Sequence, residues 1–214
     1  MAIKSISDLL GYSLFIFDLD NTIYNEEEYL FQGYMAIAGR FDGIVAGYDR
    51  EKLFNMLTGL YRENGREKLF DRFLEKISLD KSYITDCLNI LRNFNAGEPL
   101  VMFKEAGELL RLLADREKKI FILTNGNSDQ QRNKIRSIQW NGLDKHIRFI
   151  YADEIEPKPS AAGVLYILRI TGTETTEAIF IGDKETDRVC AENGGISYLD
   201  IRSLPQLFND AGKN

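Results

Sequence analysis

The chain has 214 residues, which is enough for one sizeable hydrophobic core with a smaller satellite domain. Its 44% hydrophobic and 28% charged residues are typical of a globular protein and exclude a disordered or fibrous chain. The net charge of −6 argues against a nucleic acid or an anionic membrane surface as the main partner. A bound cation could still make one pocket attractive to a small anionic molecule.

Cysteine and histidine are too scarce for several kinds of site. Cys87 and Cys190 cannot form a disulfide framework and match no zinc pattern, so we interpret both as core residues. A single histidine, His146, excludes a multi-histidine metal site. Unless His146 is itself the general base, acid–base chemistry falls to carboxylates, and we interpret His146 as a surface or loop residue. Residues 1–11 lack the apolar region of a signal peptide, and no apolar run approaches the roughly 20 residues that span a bilayer. We therefore expect a reduced, cytoplasmic location.

The first predicted element is a buried strand at residues 12–18, where apolar and aromatic side chains follow one another without alternation. From residue 26 to about residue 95 the periodicity is helical, and glycine- and asparagine-containing breaks divide it into amphipathic stretches. These helices are predicted near 26–41, 49–64, 66–78 and 80–94. The pattern indicates a small helical bundle inserted after the first strand.

After Pro99 the predicted strands and helices alternate. The strands are predicted at 119–124, 149–151, 178–182 and 196–199, and the helices at 105–116, 129–140, 160–170, 185–193 and 204–211. This alternation is typical of a Rossmann-like, doubly wound α/β fold, in which helices cover both faces of a parallel sheet. We predict an α/β core domain from residues 1–22 and 97–214, and a helical cap domain from residues 23–96.

Polar side chains follow several of these strands. In sheets of this class, ligands bind beyond the carboxyl ends of the strands. The residues at these ends, with one lysine held between two prolines, are Asp18, Asp20, Thr124, Asn125, Lys158, Asp183 and Asp187. We expect them to converge at one edge of the sheet.

The chemistry of these side chains suits a divalent cation and a phosphate group. Asp18 and Asp20 are two residues apart at a strand end, and two such carboxylates stay ionised together most readily beside a cation. Mg²⁺ prefers carboxylate oxygens and keeps positions for phosphate and water. Asp183 and Asp187 are four residues apart and can complete such a site if a helix begins between them. The ammonium of Lys158 suits the charge on phosphoryl oxygens.

Each motif taken alone also has an ordinary structural interpretation. Thr124 and Asn125 can form a simple turn instead of an anion-binding strand end. Lys158 can be a solvated loop residue, and Asp183 and Asp187 can be helix N-caps. The position of every motif after a strand, and their order along the chain, favour a single site.

Taken together, the motifs resemble those of the haloacid dehalogenase (HAD) superfamily of phosphohydrolases, and the resemblance covers essentially the whole chain. Residues 18–22, Asp-Leu-Asp-Asn-Thr, are similar to the first motif of the family, and residues 122–125 to the second. Lys158 with Pro159 is similar to the third motif, and residues 182–187 to the fourth. The helical insert lies where the family has its C1-type cap.

The resemblance implies a phosphatase that uses Mg²⁺ to hydrolyse a small-molecule phosphate monoester through a phosphoaspartyl intermediate. It implies that Asp18 is the nucleophile and that Asp20 is the general acid and base. The implied phosphate-binding groups are Thr124, a backbone N–H at Asn125, and Lys158. The implied metal ligands are Asp18, the backbone carbonyl of Asp20 and Asp183, while Asp187 supports the metal directly or through water.

Several alternatives remain open at this point. Dehalogenation needs no second aspartate in the first motif, so Asp20 argues against it. A phosphomutase or phosphotransferase needs the same residues as a phosphatase, whereas a non-catalytic binding protein would be expected to have lost one of them. Lys184 departs from the small residue more usual in the family; it can point outward, bind substrate or weaken metal binding, and we expect the first of these. The sequence distinguishes neither the phosphorylated metabolite nor the oligomeric state.

Overall fold

The computed structural model describes residues 3–211, and its strands form one parallel sheet. The strands are β1 (Leu14–Phe17), β2 (Lys119–Thr124), β3 (Ile147–Tyr151), β4 (Ala178–Gly182) and β5 (Ser197–Asp200). Their order across the sheet is β3-β2-β1-β4-β5, and every pair of neighbours is parallel. The sheet with its surrounding helices confirms the predicted α/β fold class.

The helices follow the predicted pattern, with shifts at their ends. They are α1 (Ile6–Leu9), α2 (Glu26–Phe41), α3 (Arg50–Asn64), α4 (Leu69–Lys76), α5 (Ile84–Asn93), α6 (Lys104–Asp115), α7 (Ser128–Ser137), α8 (Ala162–Thr171), α9 (Glu185–Asn193) and α10 (Leu204–Ala211). The sequence pattern did not indicate α1. The helix predicted at 66–78 begins only at Leu69, because Lys68 has a left-handed backbone with φ of 48°.

The central position of β1 in the sheet explains why its residues form a continuous apolar run. All four residues of β1 are buried, because β2 and β4 flank the strand and helices cover the sheet. Ile16 lies opposite Phe121 of β2 and Phe180 of β4 in this register, and all three belong to one core cluster. The same register brings the carboxyl ends of β1, β2 and β4 to one edge of the sheet.

The described residues divide into two compact units. One unit contains the sheet and comprises residues 3–25, Val101–Gln131 and residues 138–211. The other is helical and comprises Glu26–Leu100 together with Arg132–Ser137. The predicted cap of residues 23–96 differs from this helical unit by a few residues at each end. It also lacks the second half of α7, which lies more than thirty residues beyond the insert along the chain.

The helical unit has an aromatic core and contains a buried ion pair. Phe41 of α2 contacts Phe73 of α4 edge to face, with ring centroids 5.9 Å apart. Glu26, the first residue of α2, accepts a hydrogen bond from the fully buried Lys134 at 2.7 Å and also pairs with Arg66. A charged residue this deeply buried requires a partner of opposite charge, which explains how Lys134 of α7 is accommodated in the unit.

Other expectations from composition can be compared with the structure. Cys87 and Cys190 are free and buried, as predicted for core residues. His146 is exposed at the end of a short 3₁₀ turn before β3. Among residues 3–211, no helix has the length and apolar character needed to cross a bilayer.

Two helical glycines provide a matched test of how tightly the helices pack on the sheet. A Cβ atom on Gly163 of α8 would lie 2.7 and 2.8 Å from the two methyl carbons of Leu123, which is fully buried in β2. A Cβ atom on Gly107 of α6 would lie 3.7 Å from its nearest neighbour, an ordinary contact.

We therefore expect Gly163→Ala to lower the free energy of unfolding by about 1–3 kcal/mol, the usual cost of overpacking. We expect Gly107→Ala to raise it by about 0.5–1 kcal/mol, because alanine favours the helix. Urea unfolding of the two variants measures the difference. Equal effects would show that α8 does not approach β2 this closely.

Candidate active site

The candidate site lies where the strand order of the sheet reverses. The chain builds β2 and β3 on one side of β1, and β4 and β5 on the other. The backbone N–H of Asp18, directly after β1, donates to the carbonyl of Ile181 in β4 at 2.9 Å. Asp18 is thereby fixed beside the end of β4, where Asp183 follows. Such a switch point is the usual ligand-binding crevice of an open parallel α/β sheet.

Three carboxylates meet at this point. Asp18, Asp183 and Asp187 each place an oxygen within 4.8 Å of the others. Asp187 lies in the first turn of α9 and is fully buried, and its Oδ2 accepts a hydrogen bond from the backbone N–H of Lys184 at 3.1 Å. This local contact turns the carboxylate back toward the end of β4.

Lys158 supplies a buried cation between the carboxylates. Its Nζ atom donates to Asp18 Oδ1 at 2.5 Å and to Asp187 Oδ1 at 2.7 Å. The amide side chain of Asn125 holds the Lys158 backbone through two hydrogen bonds, accepting from its N–H at 2.8 Å and donating to its carbonyl at 2.9 Å. The loop carrying Lys158 is therefore fixed by the loop that follows β2, in addition to its flanking prolines.

The electrostatics of the cluster follow from burial and charge. Burial raises the pKa of Asp18 to about 7, with Lys158 opposing the rise and Asp187 and Asp20 adding to it. Burial also raises the pKa of Asp183. Burial alone would lower the pKa of Lys158, but the charges of Asp18 and Asp187 more than offset it, and the pKa is raised. Three carboxylates thus lie in one cluster with a single ammonium, which contacts two of them, and a further cation would favour their ionised forms.

The unpaired oxygens of the cluster fit a divalent metal ion. Among the described residues, the buried atoms Asp18 Oδ2 and Asp183 Oδ1 have no hydrogen-bond partner. A buried carboxylate oxygen without a partner costs free energy, and both of these atoms belong to the same acidic cluster. Oxygen ligands of this kind are those that Mg²⁺ prefers. The residues present are therefore compatible with a bound Mg²⁺ ion.

The other predicted site residues lie in different surroundings. Thr124 is buried at the end of β2, and the side chain of Asn125 is engaged with Lys158. The carboxylate of Asp20 is outside the three-carboxylate group. Its Oδ1 accepts from the Tyr24 hydroxyl at 2.7 Å, and its Oδ2 from Gln131 Nε2 at 3.3 Å. The side chain of Lys184 is exposed, in agreement with the expectation that it points outward.

The sequence analysis did not predict that Gln131 or Tyr24 contacts Asp20. One signal for Gln131 was available, because residues 131, 134, 135 and 138 have the spacing of a buried helix face and all four are buried. Two of these four positions, Gln131 and Lys134, carry polar side chains where apolar ones are expected. A polar residue on a buried helix face needs a specific partner, which the sequence alone does not name.

The family model for haloacid dehalogenase-like hydrolases matches residues 15–201 of this chain. The chain therefore belongs to the HAD-like hydrolase family, which confirms the family predicted from the four motifs. A search of curated proteins found no match.

Solved structures with the same fold include YfnB from Bacillus subtilis in a magnesium-bound form, with 22% identity and a TM-score of 0.60 over 94% of this chain and 99% of that one. A hydrolase from Streptococcus pneumoniae TIGR4 has 15% identity and a TM-score of 0.57, covering 93% and 99% of the two chains. A HAD family hydrolase from Deinococcus radiodurans R1, with bound phosphate and sodium, has 16% identity and a TM-score of 0.54, covering 89% and 80%. At these identities the similarity establishes the shared fold.

Gly182, the last residue of β4, provides a test of how Asp187 is packed. A Cβ atom at Gly182 would lie 2.5 Å from Asp187 Oδ2 and 2.8 Å from both Asp187 Cβ and Cγ. Because Asp187 is fully buried, it has little room to move away. We expect Gly182→Ala to displace this carboxylate from Lys158 and to lower the free energy of unfolding by about 1–3 kcal/mol.

Urea unfolding measures the effect of Gly182→Ala. Gly59→Ala in α3 is the control, because a Cβ atom there would have no neighbour within 4 Å. An unchanged stability for Gly182→Ala would contradict the described position of Asp187.

Proposed function

We propose that this HAD-family hydrolase is an Mg²⁺-dependent phosphatase that cleaves a small-molecule phosphate monoester through a phosphoaspartyl intermediate on Asp18. The observation that carries the proposal is the environment of the Asp18 carboxylate. One of its oxygens is paired with the Lys158 ammonium, and the other is buried without a hydrogen-bond partner. The same carboxylate belongs to one acidic cluster with Asp183 and Asp187. A nucleophilic carboxylate needs this combination of a fixed cation and a second charge-neutralising group.

The proposed reaction has two steps on the protein. In the first, an oxygen of Asp18 bonds to phosphorus while the bond from phosphorus to the leaving oxygen breaks, and Asp20 gives that oxygen a proton. In the second, Asp20 takes a proton from water, whose oxygen attacks phosphorus and releases Asp18 and inorganic phosphate. Lys158 offsets negative charge on the phosphoryl group in both steps. Thr124 and a backbone N–H at Asn125 bind the phosphoryl oxygens.

The metal site is assigned from the unpaired oxygens. Asp18 and Asp183, with the backbone carbonyl of Asp20, would hold Mg²⁺, which when bound neutralises charge on carboxylate and phosphoryl oxygens. Both oxygens of Asp187 already have a partner, Lys158 on Oδ1 and the Lys184 N–H on Oδ2. We therefore favour an indirect role for Asp187, in which it positions Lys158 and supports the metal site. Magnesium in YfnB and phosphate in the Deinococcus hydrolase, two proteins of the same fold, support this proposal.

The first test is hydrolysis of p-nitrophenyl phosphate. We expect turnover with Mg²⁺, its loss with a chelator, and a drop of at least about a thousandfold for Asp18→Asn, which removes the nucleophile and keeps its shape. Asp200→Asn is the matched control, because Asp200 ends β5, the strand beyond β4, lies outside the acidic cluster and pairs with Arg202. Activity that survives in Asp18→Asn would rule out the phosphoaspartyl route.

The same assay compares hydrolysis with phosphoryl transfer. Equal amounts of p-nitrophenol and inorganic phosphate are expected when water is the acceptor. An excess of p-nitrophenol in the presence of a sugar or alcohol acceptor would instead indicate a phosphotransferase or mutase.

A second test follows metal binding without activity. We expect Mg²⁺ to raise the melting temperature of the wild type, since a ligand at 100 times its dissociation constant stabilises a protein by about 2.7 kcal/mol. Asp183→Asn should lose most of this shift, because it replaces an unpaired carboxylate oxygen of the cluster. Lys184→Gln, at an exposed neighbouring side chain, should retain the shift. An equal shift in wild type and Asp183→Asn would contradict the assigned metal site.

A further inference from the structure

We propose that Gln131 and Tyr24 are positioning residues that together fix the carboxylate of Asp20 for proton transfer. The inference rests on the proposed function, because it concerns the group that protonates the leaving oxygen and then activates water. It adds two residues outside the four sequence motifs to the machinery of this site.

The two residues hold Asp20 from opposite oxygens. The Tyr24 hydroxyl donates to Oδ1 at 2.7 Å, and Gln131 Nε2 donates to Oδ2 at 3.3 Å. All three side chains are buried, Tyr24 completely and Asp20 and Gln131 to within 6% and 3% exposure. A carboxylate that accepts one hydrogen bond at each oxygen has its plane and its side-chain rotamer fixed.

The orientation of the Gln131 amide is determined by its surroundings. Besides Asp20, its Nε2 atom donates to the backbone carbonyl of Asn125 at 2.7 Å. Reversing the amide would direct its oxygen at two oxygen acceptors, so the nitrogen must face them. In this orientation Gln131 links the loop after β1, which carries Asp20, to the loop after β2, which carries Asn125.

The space around the amide is also specific. A Cβ atom on Gly126 would lie 3.0 Å from Gln131 Nε2, and Gly126 has φ of +105°, where side chains are strained. The loop therefore has a glycine at the position where a side chain would push the amide away from Asp20. The Oε1 atom of Gln131 is buried and has no partner among the described residues. An apolar residue at this helix position would avoid the cost of burying an unpaired oxygen. The stability of the protein alone therefore does not explain why the residue is a glutamine.

The kinetic test compares two substrates that differ in leaving group. Phenyl phosphate has a poor leaving group that needs a proton from Asp20, whereas p-nitrophenyl phosphate has a good one that needs little help. We expect Gln131→Leu to lower kcat/KM for phenyl phosphate by about tenfold or more and for p-nitrophenyl phosphate by less than about threefold, a part of the usual general-acid contribution. Tyr24→Phe, which removes only the hydroxyl, should show the same difference between substrates.

A double variant separates positioning from general loss of structure. In an Asp20→Asn background, Gln131→Leu should cause no further loss with phenyl phosphate, because it acts through Asp20. Gln139→Leu, an exposed glutamine just after α7, is the control and should leave both substrates unchanged. A further loss in the Asp20→Asn background, or an equal loss with both substrates, would overturn the proposal.

A structural readout keeps this inference distinct from the proposed function. In crystal structures of the wild type and Gln131→Leu, the Asp20 carboxylate should adopt one rotamer in the first and a different rotamer, or more than one, in the second. If wild type hydrolyses neither substrate, the phosphatase proposal fails, and the positioning role is judged by these two structures. An identical Asp20 rotamer in both would overturn it whatever the activity.

Discussion

The rest of the site depends on the ion pairs that the buried ammonium of Lys158 forms with carboxylates. Two carboxylates, Asp18 and Asp187, contact it directly, and Asp183 lies in the same cluster without a contact of its own to the lysine. Carboxylates that are this close and this buried repel one another, and one positive charge does not balance them. The cluster of these three carboxylates and one lysine is stable only if some of the carboxyl groups bind protons or if another cation is present. The raised pKa of Asp18 and the unpaired oxygens have this common origin.

The surrounding strands, helices and loops hold Lys158 and the carboxylates in position. The register of β1 with β4 brings Asp18 beside the loop that carries Asp183, and the first turn of α9 returns Asp187 to the same point. Asn125 fixes the backbone of Lys158 from the loop after β2. The helices and strands therefore determine where the charges lie, and the absence of a side chain at Gly182 leaves space for one of them. At this edge of the sheet, the close packing at Gly182 also determines where the carboxylate of Asp187 lies.

Sequence patterns predicted the parts of this molecule that are governed by local rules. The alternation of strands and helices predicted the sheet, and polar residues after strands indicated the edge at which Asp18, Lys158 and Asp183 meet. The strand order did not follow from the pattern, because it depends on which side of β1 each crossover packs. The left-handed backbone at Lys68 shortened a helix whose periodicity continued through it. The contacts of Gln131 and Tyr24 with Asp20 were not predicted, because they are hydrogen bonds to a residue distant in sequence or across a turn.

The central position of β1 has a consequence for the order in which the chain can assemble. β1 ends at Phe17, but its partners β2 and β4 begin only at Lys119 and Ala178. During synthesis, β1, which Asp18 directly follows, is therefore made long before the two strands that pair with it. Pairing of β1 with β2 closes a loop of about a hundred residues. The helices of the insert, being nearly contiguous in sequence, can form meanwhile and shorten the effective length of that loop. The acidic residues therefore remain in water until the sheet closes, and their desolvation belongs to a late stage of folding.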